Sequence, residues 1–122
     1  DELMRTISRQ EAITLRLLHQ QLLSPQYEKP EDIVVWQGTM QAQDYNYFRW
    51  AIGIRQCTPQ LAQLQEAFAK AELLRLHLLR CTVQVVSKTD IGWLLSFMQG
   101  TQPEYFAILA KEYQYSVCPK LL

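Results

Sequence analysis

The sequence predicts an α+β fold that is mostly helical, and three observations carry this prediction. Most of the chain repeats its apolar residues at helical spacing, several segments open with helix-start signals, and only one short region alternates apolar with polar residues. The 122 residues are 48% hydrophobic and 20% charged, which is ordinary composition for a globular protein. We therefore expect one domain over residues 1–122 with its own hydrophobic core.

The first helix is predicted over residues 8–23. Ser8 and Glu11 have the spacing of a capping box, in which each side chain bonds the backbone of the other residue. Apolar residues then follow at helical spacing, and Pro25 disfavours helical geometry in the residue before it. The apolar stripe expected of an amphipathic helix consists of Ile13, Leu15, Leu17, Leu18 and Leu22.

Two further helices are predicted over 30–41 and 45–55. Pro30 is followed by two acidic residues, which suits a first helical turn, and Asp44 is a suitable cap for the next helix. The buried face of the 30–41 helix is predicted to consist of Ile33, Trp36 and Met40. The shared face of the 45–55 helix is predicted to consist of Tyr47, Trp50, Ala51 and Ile54.

The rest of the chain predicts a helix over 58–71, a β-hairpin over 73–86, and helices over 88–99 and 103–115. A second capping box is expected at Ser87–Asp90, and Gly100 is expected to end the helix that follows it. Helices followed by a β-ribbon in a domain of this size are typical of a winged helix, a helix-turn-helix variant whose wing is a β-hairpin. A small helical bundle with an incidental hairpin is the alternative.

Composition and motifs exclude several classes of function. Twelve basic residues balance twelve acidic ones, so binding of nucleic acid through net charge alone is not expected. No apolar run reaches membrane-spanning length. Cys57, Cys81 and Cys118 form no CxxC pair, which favours a reducing, cytoplasmic location. With two histidines and none of the common enzyme or nucleotide-binding motifs, we expect no metal and no cofactor.

Gln41 and Gln43 are the most distinctive polar pair of the sequence. They lie at the junction of two predicted helices, and in an extended junction residues two apart point to the same side. An amide both donates and accepts hydrogen bonds, so the pair suits a base edge or a held water. Amides that cap helix ends are the alternative interpretation.

Basic residues gather on and beside the predicted ribbon, where they suit contacts to DNA phosphates. Residues of the third helix extend this set, and an exposed tyrosine there could stack on a base. The candidate DNA-binding residues are Arg75, His77, Arg80, Lys88, Arg49, Arg55 and Tyr45. A solvated polar face balanced by nearby acids is the alternative.

Three stretches of the chain together resemble one family. The first stretch is residues 13–23. The second consists of Met40–Tyr45 and Trp50–Arg55, which together are similar to "QAQD…WALGLR". The third is Arg75–Asp90, which is similar to "RTHxxRGTxHxVxxxD". The family is that of winged-helix DNA-binding proteins of the AlkZ and YcaQ type, bacterial DNA glycosylases that act on alkylated bases and interstrand crosslinks. The resemblance covers roughly residues 12–98.

The resemblance implies roles for particular residues. Gln41 and Gln43 match the family's Gln-x-Gln motif, which implies that they position the attacking water and stabilise positive charge on the sugar. Two positions depart from the pattern, since Cys81 replaces a glycine and Gln84 replaces a histidine. Family members are also several times longer, so this chain matches only their first winged-helix unit.

The leading hypothesis is a winged-helix protein that binds double-stranded, alkylated or crosslinked DNA. If it is active, it is a monofunctional DNA glycosylase that hydrolyses N-glycosidic bonds, although this short chain is expected to lack full activity. The alternative is a non-catalytic winged helix used for dimerisation or protein contact, or a transcriptional regulator. An enzyme that uses Cys81 is a third hypothesis.

Overall fold

The computed structural model describes residues 4–113. Its helices and strands are α1 (Arg9–His19), α2 (Pro30–Gln37), β1 (Met40–Gln41), α3 (Tyr45–Gly53), α4 (Leu61–Ala69), β2 (Leu73–His77), β3 (Val83–Ser87), α5 (Ile91–Thr101) and α6 (Pro103–Tyr113). The three strands form one antiparallel sheet in the order β1-β3-β2. The fold is therefore α+β and mostly helical, as the sequence predicts.

The sheet lies between two helical layers, because side chains of successive strand residues point to opposite faces. One face packs on α2, α3 and α4 in the first core, whose buried members are Ile33, Val34, Ala42, Phe48, Ile52, Leu64, Ala67, Leu73 and Val85. The other face packs on α5 and α6 in the second core, whose buried members are Leu78, Val86, Leu94 and Met98. Adjacent residues of β3, Val85 and Val86, thus belong to different cores.

The predicted helix over 30–41 is wrong at its carboxyl end. Helix α2 stops at Gln37, because Gly38 adopts φ 83° and turns the chain into β1. Met40 then pairs with Val85 of the central strand. Its helical spacing from Ile33 had predicted a helical position for Met40, and the two-residue strand that follows the turn was not predicted. Trp36, expected to be buried, is half exposed.

Helix α3 buries a different face from the predicted one. Phe48 and Ile52 enter the first core, whereas Tyr47 and Trp50 are 75% and 66% exposed. Both faces carry apolar residues at helical spacing, so the sequence pattern alone could not tell which one meets the sheet. Tyr47 and Trp50 are left on the surface, and Tyr47 lies beside β1.

Helix α1 forms where its capping box predicts, with Ser8 and Glu11 exchanging hydrogen bonds of 2.7 and 3.1 Å. None of its residues is buried among those described, so its apolar stripe does not enter either core. The carboxyl end of α1 is joined to the rest of the chain by Trp36, whose indole donates to the His19 carbonyl at 2.6 Å.

Other element ends differ from prediction by a few residues. Helix α4 begins at Leu61 rather than 58, and α5 begins at Ile91 and continues through Gly100. The second capping box does not form, since Ser87 is buried at the end of β3 and bonds Thr89 and Asp90 through its side chain. Residues 114 and 115 of the predicted last helix, and Cys118, lie outside the described residues.

The predicted ribbon forms β2 and β3, and its tip is tight. Arg80 and Cys81 both adopt left-handed backbone, with φ 52° and 60°. Glycine adopts such angles without steric cost, which gives a physical reason for a glycine at position 81 in the similar family. The tip is also covered, because Leu78 is fully buried in the second core and Arg80 donates its backbone N–H to Gln102, just before α6.

Candidate active site beside the edge strand

Gln41 and Gln43 line the same cleft, between β1 and the start of α3. Ala42 between them is buried in the first core, so the alternation of an extended chain exposes both glutamines on the other side. We call this space the glutamine cleft; it measures about 290 Å³ and is lined by Gln41, Gln43, Asp44, Tyr47, Phe48 and Ala51. Both of the predicted glutamines therefore line one cleft.

At the end of the β1–β3 pairing, a side-chain oxygen replaces a backbone carbonyl as the hydrogen-bond acceptor. Ala42 donates its backbone N–H to the Val83 carbonyl at 2.9 Å, as in a regular antiparallel pair. The return bond from the Val83 N–H goes instead to the side-chain Oε1 of Gln43, at 3.4 Å. The Gln43 amide is therefore oriented by the sheet. The Gln41 side chain has no hydrogen-bond partner among the described residues.

Arg75 bonds the Ala42 carbonyl, which does not accept the Val83 N–H. Its Nε and Nη2 donate to the Ala42 carbonyl at 3.0 and 2.8 Å, and Nη2 also donates to the Gln43 carbonyl at 3.3 Å. Arg75 lies on β2, so its side chain crosses the central strand to reach the chain after β1. Two of its three guanidinium nitrogens are thus engaged with protein carbonyls.

Asp44 is the one carboxylate among the residues that line the glutamine cleft. Its Oδ1 caps α3 by accepting the backbone N–H groups of Asn46 and Tyr47, at 2.8 and 3.1 Å. The sequence predicts this cap. The structure adds that the cap uses only Oδ1, which leaves Oδ2 available to a ligand in the cleft. Tyr47, which stands over the cleft with 75% of its surface exposed, is a second lining residue absent from the predicted site.

Tyr45 and Arg49, two of the predicted DNA-binding residues, form a cluster with Arg75. The Tyr45 ring packs against Phe48 and Phe68, with centroids 6.2 and 6.0 Å away. The guanidinium carbons of Arg49 and Arg75 lie 5.8 and 5.6 Å from the same ring, within cation–π range. Tyr45 is therefore half-buried between the core and two arginines.

Arg55 lies apart from this cluster, two residues after the end of α3, and its side chain folds back onto that helix. It donates to the Ala51 carbonyl at 2.8 Å and to the side chain of Gln20 at 3.3 Å. Burial lowers the pKa of its guanidinium from the ordinary value, because charge is disfavoured away from water. The structure thus places Arg55 against the segment after α1 rather than beside the glutamine cleft.

The remaining predicted residues are spread along the ribbon. His77 is half-buried at the end of β2, opposite Val83. Arg80 is exposed at the tip. Lys88, after β3, pairs with Glu72 at 2.6 Å, and its backbone N–H bonds the carbonyl of the same residue at 3.0 Å. None of these three residues is among those that line the glutamine cleft.

Residues 4–113 contain no cluster of three or more histidine, cysteine, aspartate or glutamate side chains that could hold a metal ion. No helix in the same range is long and apolar enough to cross a membrane.

Comparison with known proteins finds a solved structure of similar fold. The DNA glycosylase AlkZ of Streptomyces sahachiroi superimposes with a TM-score of 0.70 at 20% sequence identity, over 85% of this chain and 29% of the AlkZ chain. A scan against protein-family models and a search of the curated proteins give no match. The chain therefore has an AlkZ-like fold, and it spans less than a third of the length of that glycosylase.

Proposed function

We propose that this chain is a winged-helix unit of a DNA glycosylase, which binds double-stranded DNA and carries the two glutamines that act on the damaged nucleotide. The observation that carries the proposal is the meeting of Gln41 and Gln43 in one cleft within an AlkZ-like fold. The winged-helix assignment is supported by the order α2-β1-α3-α4-β2-β3, three helices interleaved with a three-stranded antiparallel sheet.

The reaction we propose is hydrolysis of the N-glycosidic bond of an alkylated base. The bond between the sugar C1′ and the base nitrogen breaks, and its electron pair neutralises the cationic base. The oxygen of a water molecule bonds to C1′, and one proton of that water is released. Positive charge develops on the sugar during this step, so oriented dipoles stabilise the transition state more than a strong base would.

The glutamine cleft offers groups suited to each part of this step. Gln43 has its amide oxygen engaged by Val83, so its NH₂ group is available to the ligand. Gln41 can turn its carbonyl oxygen towards a water or towards the sugar. An amide does not accept a proton near neutral pH, and the Asp44 carboxylate beside the pair is the group that we assign to take the proton of the water.

DNA contacts are proposed around this cleft. Tyr47 is exposed enough to stack on a base, and Arg49 is exposed next to it on α3. Arg80 and His77 lie farther along the ribbon, where they suit phosphate contacts. Because the formal net charge is zero, we expect the isolated chain to bind DNA weakly.

The test is release of alkylated bases from a damaged duplex by the wild type and by a Gln41→Ala, Gln43→Ala double variant. The double variant is expected to lose release while its circular dichroism spectrum is unchanged. A matched Gln10→Ala, Gln65→Ala variant removes two exposed helical glutamines away from the cleft and is expected to retain wild-type release. Equal release by both variants would contradict the proposal.

Binding provides an independent measurement. Fluorescence anisotropy with an abasic-site duplex and an undamaged duplex, at low and moderate salt, is expected to show tighter binding to the abasic duplex. Tyr47→Ala is expected to weaken binding to the abasic duplex by roughly tenfold, since stacking on one base contributes about 1–3 kcal/mol. Absence of binding to either duplex at low salt would argue against a DNA-reading role for this unit.

A second candidate function, a non-catalytic interaction module, is favoured by helix α1. Its apolar residues Leu15 and Leu18, and Leu22 just beyond its end, lie at helical spacing, and each is 37–44% exposed. An apolar face of this kind marks a surface that another protein surface could cover. If it mediates dimerisation, the mass measured by light scattering is expected to be twice that of the 14.3 kDa chain. A Leu15→Gln, Leu18→Gln variant is expected to return it to the monomer.

A further inference from the structure

The regular pairing of β1 with β3 ends at Gln41, so the position of Gln43 in the proposed active site is fixed by other contacts. Strand β1 is two residues long and lies at the edge of the sheet, so it pairs only with β3. Beyond Ala42, the ladder is replaced by the bond from the Val83 N–H to the Gln43 side chain. Because the Val83 N–H bonds the Gln43 side chain, the Ala42 carbonyl needs a hydrogen-bond donor other than Val83.

We infer that Arg75 is the positioning residue of the glutamine cleft, because its guanidinium supplies that donor. It holds the carbonyls of Ala42 and Gln43 together, the two peptide groups that set the direction of the Gln43 side chain. The inference rests on the proposed function, and it assigns Arg75 to the protein's own backbone rather than to a DNA phosphate.

The geometry explains why an arginine is needed here. The side chain must reach from β2 across the width of β3, a neighbour spacing of about 5 Å for each pair of strands. Its planar fork then donates from two nitrogens to one carbonyl and reaches a second carbonyl from the same group. The Tyr45 ring, 5.6 Å from the guanidinium carbon, supports this placement. A lysine would bring the charge with a single donor group and no fixed plane.

The experiment compares Arg75→Met, Arg75→Lys and a control, Arg16→Met, which removes an exposed arginine from α1. Steady-state base release gives kcat and KM separately, and DNA affinity is measured at several salt concentrations. We expect Arg75→Met to lower kcat roughly tenfold to a hundredfold, as displacement of a reacting group by about 1 Å does. KM and the salt dependence are expected to stay at the wild-type values, and Arg75→Lys is expected to restore part of kcat.

A double variant separates positioning from direct contact with DNA. If Arg75 acts through Gln43, Arg75→Met causes no further loss in a Gln43→Ala background, because the group that it positions is already absent. If Arg75 binds a phosphate, the loss persists in that background, KM rises, and the slope of log affinity against log salt falls by about one. The second set of results would overturn the inference.

Failure of the proposed function would be recognised separately, as absence of base release by the wild type. The positioning role is then tested by nuclear magnetic resonance of the same full chain. Arg75→Met is expected to shift the signals of the Gln43 side-chain amide and of the Val83 backbone N–H, whereas Arg16→Met is expected to leave both in place. Unchanged signals in Arg75→Met would overturn the inference.

Discussion

Gln84 lies directly opposite Gln41 in the antiparallel pairing of β1 with β3. Directly paired residues share a face of the sheet, with Cβ atoms about 5 Å apart. The Gln84 amide is held between two threonines, since it accepts from the Thr39 hydroxyl at 3.2 Å and donates to the Thr82 hydroxyl at 2.9 Å. The position at which the similar family has a histidine is thus adjacent to the first glutamine of the candidate site.

Gln84→His would place an imidazole beside Gln41. An unperturbed imidazole titrates near pH 6.5, so base release by this variant is expected to change between about pH 5.5 and 7.5 in a way that the wild type does not. The measurement is the rate of base release against pH for both proteins. Gln84→Asn is the control without a titratable group, and profiles of identical shape for Gln84→His and Gln84→Asn would contradict the expectation.

Gly38→Ala is expected to lower the free energy of unfolding by about 1–2 kcal/mol, because a side chain disfavours left-handed backbone. Gly38 has φ 83°, and no atom lies within 4 Å of the position that a Cβ would take, so the expected cost comes from the backbone and not from a clash. Gly100→Ala is the matched control within helix α5, where alanine is the better helix former. This change is expected to raise the free energy of unfolding by about 1 kcal/mol. Urea denaturation measures both, and equal effects would be inconsistent with this account.

Ala71→Gly is expected to stabilise the protein by about 0.5–1 kcal/mol. Ala71 follows α4 with φ 55°, and the turn is closed by the bond from the Glu72 N–H to the Ala67 carbonyl at 2.9 Å. Such a position after a helix favours glycine. Ala62→Gly, at an exposed position inside α4, is expected to cost about 1 kcal/mol instead. The two midpoints in urea should therefore move in opposite directions, and a decrease for Ala71→Gly would disprove the prediction.

Acid is expected to loosen the amino end of α1. The backbone N–H of Ser8, and then its hydroxyl, lower the pKa of Glu11 from the ordinary value of 4.5 by bonding the charged carboxylate. A lowered pKa in the folded chain means that this stabilisation is present above pH 4.5 and is lost as the pH falls through the lowered pKa. The Ser8 amide signal, followed by nuclear magnetic resonance, should report this loss.

Glu11→Gln provides the control for that titration, since glutamine can occupy the same place in a capping box without a titratable group. Its Ser8 signal is expected to lose the pH dependence that arises from the capping box, because no carboxylate remains at position 11. Helix α1 buries no residue among those described, so its loss should leave the midpoint of global unfolding unchanged. A pH-independent Ser8 signal in the wild type would show that the capping box does not form in solution.

The sequence predicts elements whose signals are local. The capping box at Ser8 and Glu11, the Asp44 cap and the alternation of the ribbon all depend on neighbours within a few residues, and all three form. Strand β1 was missed because Met40 continues the helical spacing of α2, and because a two-residue strand is too short to show alternation.

Burial depends on contacts far along the chain, and there the sequence was a poorer guide. Nothing near α1 indicates whether its apolar stripe meets another surface. The spacing of Gln41 and Gln43 was enough to predict that both would face the same side if the junction is extended. The bonds from Arg75 to carbonyls more than 30 residues away could not, because they require the strand order.

The division of Val85 and Val86 between the two cores has a thermodynamic consequence. Both helical layers depend on the same central strand, so neither layer can melt and leave the other with an intact sheet to pack against. Heating should therefore give one cooperative transition, in which the calorimetric and van't Hoff enthalpies agree. Helix α1 stands outside this unit, and its fraying should precede the transition as a gradual change in ellipticity.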